Sequence, residues 1–415
     1  MNSDIAREWV SAELDIITGA QPNSPTYASR SLAYLGLTMY ECVVQGGQSY
    51  QSIAGQLDGL KAMPEAGGLD WEVALSAGQR KMVSYLYPSV SDGNKNRMKR
   101  IHDTLLKGKE GQVSQTTLDL SARFGEEVAD RIIKWAKKDG GDKKYHKVLD
   151  TEYPLPTGPE YWVPPFGGQF SEPGTMHPYW ADNRRFVKEN RNVPVDNPLA
   201  YSLDSSSTYY KEMKLVYTHN ISLSQEEKEM AAWWGDDPTV TPSPPGHSMY
   251  LASVLTAQNQ SDLIETAAVF AMVGMATADA FMEAWRAKYT WHTQRPTAYI
   301  RGMIAADYWQ YWPEPPFPAY VSGHSSQIAA AVTVLQSVYG DNQMVTDEFH
   351  KWRQYDVVHE VGFNHPRHFT SLWDLAEECG WSRILGGIHM PQDNIAGLKL
   401  GRDVGNNVAR LNWRP

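Results

Sequence analysis

Apolar residues recur at helical spacing along most of this chain. Ile5, Trp9, Ala12 and Ile16 share one face, after Asn2 and Ser3, which predict a cap. Ser24-Pro25 predicts an N-cap followed by proline at the first helical position, opening a helix to about residue 44. The same periodicity predicts helices over 71–87, 92–107 and 114–138, and Gly140-Gly141 closes this group. Helices resume at 206–218, 223–234, 246–258 and 261–294. After the proline run Trp312 to Pro318 they continue at 323–339, 371–379 and 392–410. Strand signals are weak and no repeat of fixed period is present. The fold class predicted is all-α.

Residues 151–205 break the pattern, with nine prolines and four glycines. Proline removes a backbone donor and blocks regular helix. A flexible linker would be polar, but this stretch carries Tyr161, Trp162, Phe166 and Trp180. It is expected to lie packed over a surface, near a pocket mouth. The chain therefore divides into a helical bundle at 1–140, a wrapping segment at 141–205 and a second helical bundle at 206–415, built as one unit.

Composition sets outer limits. Hydrophobic residues make up 42% and charged residues 21% of the 415, an ordinary globular balance. A net charge of −10 argues against nucleic acid as partner, so any anion site must gather its cations locally. The two cysteines, Cys42 and Cys379, make neither a disulfide framework nor a zinc cluster and read as buried small hydrophobes. No membrane span is expected: the charge-free stretch Thr266 to Ala278 falls short of the ~20 apolar residues required.

Three motifs carry chemistry. In Lys288-x6-Arg295-Pro296 the spacing puts both cations on one face if the helix reaches Arg295, although Pro296 pushes Arg295 toward extended backbone. Ser322-Gly323-His324-Ser325 sits at a predicted helix N-terminus. Free N–H groups there bind anions, glycine lets a ligand approach, and His324 stands by as acid or base. In Ser382-Arg383-x5-His389-x3-Asp393, Pro391 starts a helix just after His389, and Asp393 can hydrogen-bond the far nitrogen of that imidazole. Each motif alone also fits a solvated basic face, a plain serine cap or a core histidine. All three in one chain, in this order, point to a pocket for a tetrahedral oxyanion.

This combination resembles the type-2 phosphatidic acid phosphatase superfamily, which includes acid phosphatases, lipid phosphatases and vanadium-dependent haloperoxidases. Pro-Pro-Phe-Pro-Ala-Tyr before Ser-Gly-His, Ala284-Trp285-Arg286-Ala287-Lys288, Glu160-Tyr161-Trp162-Val163-Pro164-Pro165 and Leu385-Gly386-Gly387-Ile388-His389 resemble the bacterial haloperoxidases in particular. Val321 departs from the usual proline. The likeness is dense from about 225 to 415, recognisable at 151–190 and faint before that.

The resemblance implies helical bundles of the haloperoxidase and acid phosphatase type, with vanadate as cofactor and phosphate able to take its place. His389 would bind vanadium, and Lys288, Arg295, Ser322, Gly323 and Arg383 would hydrogen-bond the vanadate oxygens. His324 would move protons. Trp285 and Phe317 match halide-side aromatics and Ser325 lies beside them, while His247 in Pro-Pro-Gly-His is either a structural residue or one that approaches the pocket. The implied reaction is oxidation of iodide or bromide by hydrogen peroxide to hypohalous acid, with small organic acceptors downstream. The alternative is a soluble acid phosphatase with His389 as phosphohistidine nucleophile. A non-enzymatic helical scaffold ranks last. Bacterial relatives are commonly exported, which implies a periplasmic or secreted protein whose signal peptide has been removed. A homo-oligomer stays open.

Overall fold

Helix boundaries follow local chemistry. The computed structural model describes residues 1–20, 23–165, 169, 173–238 and 240–415, the side chain of residue 145 aside, and Phe166 lies outside them. Among these residues thirteen α-helices form: α1 (Asp4–Gly19), α2 (Pro25–Val43), α3 (Trp71–Leu86), α4 (Asp92–Lys109), α5 (Gln115–Ala136), α6 (Thr208–Asn220), α7 (Gln225–Trp233), α8 (Ser243–Gln258), α9 (Leu263–Trp291), α10 (Pro296–Met303), α11 (Gly323–Tyr339), α12 (Leu372–Leu385) and α13 (Pro391–Ala409). The Ser24 side chain accepts from Tyr27 N, as its position before proline predicts. Ser3 stands at the α1 cap position without a side-chain cap bond.

The largest departure from the sequence reading is at α9. His292 adopts a left-handed conformation (φ 48°) and ends the helix at Trp291, three residues before the expected limit. Arg295 is extended (φ −90°, ψ 158°) and caps a separate helix, α10, which the periodicity missed. Lys288 and Arg295 therefore do not share a helix face. The helix read at 371–379 in fact runs on to Leu385.

Bulk sets the helix crossings. A Cβ on Gly36 of α2 would lie 2.5 Å from the Phe270 carbonyl oxygen, and one on Gly274 would lie 2.7 Å from that of Leu32. The two backbones touch there, which joins the N-terminal helices to α9. Gly397, Gly401 and Gly405 repeat every four residues along α13 and face the carbonyls of Ser322, Ser326 and Ala330 on or beside α11. By length and composition α9 could cross a membrane, but here it is packed almost wholly inside protein. Cys42 and Cys379 are both free and buried.

The proline-rich segment is tied down along its length. Trp162 N donates to His292 O and Gln294 N to Glu160 O. Asp279 of α9 accepts from the backbone N–H groups of Phe186 and Val187 at 2.8 and 3.0 Å, and buried Glu283 accepts from Arg185 Nε at 2.7 Å. Strand β1 (Leu149–Asp150) pairs antiparallel with β2 (Thr175–Met176), and β3 (Val345–Asp347) with β4 (Arg367–Phe369). These short ladders aside, the described chain is helical, as read.

Candidate functional site

The three motifs meet where α9, α11 and α13 pack together. Ser322 caps α11, and its backbone N–H donates to Asp393 O at 2.9 Å, which ties the second motif to the third. Gly386-Gly387 ends α12, and Pro391 starts α13 two residues after His389. The positive end of α13 thus lies beside the His389 imidazole. A cavity of about 30 Å³ opens between these elements. That is room for more than one water-sized group, since a single water needs roughly 10–15 Å³ on this measure. Its walls include Gly323, His324, Arg383, His389 and Phe317, together with Gln169 from the wrapping segment.

His389 is buried, and its Nδ1 stands 2.9 Å from Asp393 Oδ2. Burial, with Arg295, Lys288 and Arg383 nearby, holds the imidazole well below its usual pKa, so the ring is neutral. An Nδ1–H donated to Asp393 leaves the Nε2 lone pair as the acceptor, 3.2 Å from Arg295 Nη1. Burial pushes the Asp393 carboxyl up to about 7, against the pull of Lys288. His324 is also held well below its usual pKa, by burial and then by Arg383. Its ring faces the backbone of Gly235 and Trp234, and its Nε2 has no hydrogen-bond partner among the described residues.

The cations are placed unequally. Arg383 lines the cavity, gives Nη1 to Trp234 O at 3.1 Å and keeps Nε unpartnered among the described residues. Arg295 does not line it: Nη1 donates to Ile388 O at 2.8 Å, and Nη2 to Phe317 O at 2.9 Å. Lys288 is buried with its ammonium on three carbonyls, those of Pro318, Ala319 and Val321, at 2.9, 2.8 and 2.6 Å. All three of its hydrogens are taken, so Lys288 offers the cavity no free donor, and burial with Arg295 beside it holds its pKa well below the ordinary range. The Phe317 ring lies 5.0 Å from the Lys288 nitrogen and 5.2 Å from the Arg295 guanidinium carbon. Its π cloud offsets part of their repulsion.

Other expected residues stand further back. The Ser322 hydroxyl accepts from Ser325 N and Ser325 Oγ, and neither serine lines the cavity. Ser325 Oγ also reaches Asn394 Oδ1 at 2.8 Å, which places it in the α11–α13 seam. Trp285 packs on Phe317 at 4.8 Å and donates Nε1 to Met176 O, one layer behind the wall. His247 bridges Asp236 Oδ2 and Asp347 Oδ2 at 2.8 and 2.9 Å, stacked between Trp234 and Phe349. These two carboxylates push its pKa up to about 10 despite burial.

Sequence reasoning missed Asp236 and Asp237. Asp236 lines the cavity with His247 behind it. Asp237 accepts from Gln169 Nε2 at 2.6 Å, and burial pushes it up to about 6 against the pull of Arg383. The available signal was Gly235-Asp236-Asp237-Pro238, an acidic pair in a turn directly after a helix.

Comparison with known proteins bears on the sequence and the fold. The profile of the VCPO second helical-bundle domain matches residues 268–414. The vanadium chloroperoxidase of Curvularia inaequalis is 22% identical, over 93% of this chain and 78% of that protein. Among solved structures, a bacterial vanadium-dependent iodoperoxidase superposes with a TM-score of 0.85 at 29% identity, covering all of this chain and 98% of that one. A bacterial vanadium-dependent chloroperoxidase gives a TM-score of 0.73 at 14% identity, covering 96% of this chain and 95% of that one. Residues 268–414 thus match the second helical-bundle domain of that family, and the fold over the whole length is similar to that of bacterial vanadium-dependent haloperoxidases.

Proposed function

We propose that the cavity holds vanadate and that the protein oxidises a halide with hydrogen peroxide to hypohalous acid. The observation that carries this reading is a buried cavity with unsatisfied polar atoms on its walls. Arg383 Nε and His324 Nε2 have no partner among the described residues, and both residues line it. A buried donor left without a partner costs about 1–3 kcal/mol, so a bound oxyanion repairs a real deficit. At Gly323 a Cβ would come within 3.3 Å of the Phe281 ring, so the glycine keeps that wall open. These residues fit vanadate, and inorganic phosphate fits the same cradle.

His389 Nε2 is the ligand atom assigned to vanadium. Arg383 Nε and the Gly323 N–H hold the oxygens, with Lys288 and Arg295 standing just behind. Bound vanadate supplies Lewis acidity without a change of oxidation state. His324, held well below its usual pKa by burial and Arg383, would be the group that holds or moves a proton beside the bound vanadate. Halide, hydrogen peroxide and one proton then give hypohalous acid and water. We assign iodide first, because the relative sharing 29% identity over the whole fold is an iodoperoxidase. Bromide follows, and chloride is expected to be poorest.

A paired assay tests this. Vanadate-loaded protein should form triiodide from iodide and hydrogen peroxide, and inorganic phosphate should suppress it competitively. Phosphomonoester cleavage without halide oxidation would instead assign His389 the role of phosphohistidine nucleophile.

A further inference from the structure

A second hollow lies on the other side of Arg295. It has a volume of about 300 Å³, and Trp162, Pro164, Pro165, Trp309, Arg295 and Glu314 are among its walls. This is the lower end of the size range of small-molecule pockets. Its rim is open to solvent: Val163 is 62% and Trp309 60% exposed, and the Arg301 guanidinium stacks on the Trp309 ring at 4.4 Å. Its floor is closed, with Trp162 2% and Glu314 7% exposed.

Two polar atoms on these floor residues have no hydrogen-bond partner among the described residues, the indole N–H of Trp162 and Oε1 of Glu314. One is a donor and the other an acceptor, in walls that join Trp309, Pro164 and Pro165 to the polar Gln294, Thr297 and Gln310. The hollow adjoins the reaction site. Arg295 lines it and also reaches His389 Nε2 at 3.2 Å. Glu314 precedes Pro315 of the central cavity, and its carbonyl accepts from the backbone of Gln169, another cavity residue.

We infer that this hollow binds the organic acceptor and selects a hydroxylated single aromatic ring, the phenol class. The ring lies against Trp309, Trp162 and the prolines, and its hydroxyl is satisfied by Glu314 Oε1 and Trp162 Nε1. Burial raises the Glu314 carboxyl above its ordinary range, with Arg295 and a hydrogen bond from Thr297 opposing. This inference rests on the haloperoxidase reading for its chemistry. Hypohalous acid from the neighbouring cavity transfers halogen, formally as a cation, to a ring carbon. The oxygen–halogen bond breaks and a carbon–halogen bond forms. The ring proton leaves with the former hypohalous oxygen as water. Holding the phenol one wall away captures the oxidised halogen before bulk water dilutes it.

Binding is tested on the cofactor-free full chain, so that failure of the oxidation chemistry does not confuse the result. The probe is 4-fluorophenol, followed by its fluorine NMR shift and line width. Saturable binding is expected, weakened about fivefold or more in Trp309→Ala, in keeping with the worth of an aromatic contact, and weakened in Glu314→Gln. Fluorobenzene, lacking the hydroxyl, should bind more weakly than 4-fluorophenol. Absence of saturable binding overturns the inference, and so does binding that neither variant changes. Triiodide formation without phenol is measured in parallel. If the phenol binds but no halide is oxidised, the proposed reaction falls and the aromatic site stands.

Discussion

At the scale of single residues, the two histidines carry different proposed roles and should fail differently. His389→Ala removes the proposed metal ligand, so vanadate binding, read by vanadium NMR or calorimetry, should be lost together with activity. His324→Ala leaves His389, Arg383 and Gly323 in place. It should retain vanadate and lose about 10²–10⁴ in turnover, the usual share of a positioned acid or base. Asp393→Asn should weaken vanadate affinity by roughly 10–100-fold, because Asp393 Oδ2 fixes the His389 tautomer from 2.9 Å. The His389–Asp393 contact was legible in the sequence, since a spacing as short as His389-x3-Asp393 nearly dictates geometry once a helix start is recognised. What spacing could not show was where each polar proton goes. Lys288 spends its donors on Pro318, Ala319 and Val321, and Ser322 and Ser325 bond each other. Those partners lie far from any pattern that contains them.

At the scale of elements, apolar periodicity located nearly every helix but misjudged ends that a neighbour decides. α9 stops because His292 turns left-handed, with its carbonyl accepting from Trp162 N and with Gln294 N donating to Glu160 O in the wrapping segment. Nothing local to 288–295 announces that partner. The α11–α13 seam is the opposite case, written in Gly397, Gly401 and Gly405, though their meaning needs the facing helix. Gly401→Ala would set a methyl 2.1 Å from Ser326 O and 2.8 Å from Ala329 Cβ. Overpacking of this kind costs about 1–3 kcal/mol. We expect a lowered melting temperature, and lower vanadate affinity as well, because Ser322 and Asp393 move with the two helices. Unchanged melting would show that the seam relaxes freely.

At the scale of the whole molecule, the buried Asp236–His247–Asp347 group links α8, the turn after α7 and strand β3. His247 is raised in the folded state to about 10, from an ordinary value of 6.5. A group raised on folding stabilises fully below its unfolded pKa and loses that contribution as pH climbs through the folded one. Thermal stability should therefore decline between about pH 6.5 and 10, and His247→Gln should be less stable at neutral pH with a shallower decline. An equal slope in the variant would rule out His247 as its source. Neither carboxylate partner was visible from Pro-Pro-Gly-His, because one lies 11 and the other 100 residues away.

The crossing of α2 over α9 at Gly36 and Gly274 bears on how such a protein can be divided. The stretch carrying the conserved profile starts at residue 268, inside α9, and the groove that receives α2 starts there too. The N-terminal helices, though weakest in family likeness, are then the missing half of a hydrophobic joint. Trimmed to residues 268–415, the polypeptide should come out of cells as insoluble aggregate. Supplying residues 1–267 as a separate strand should rescue it, by fragment complementation, into a soluble particle able to take up vanadate.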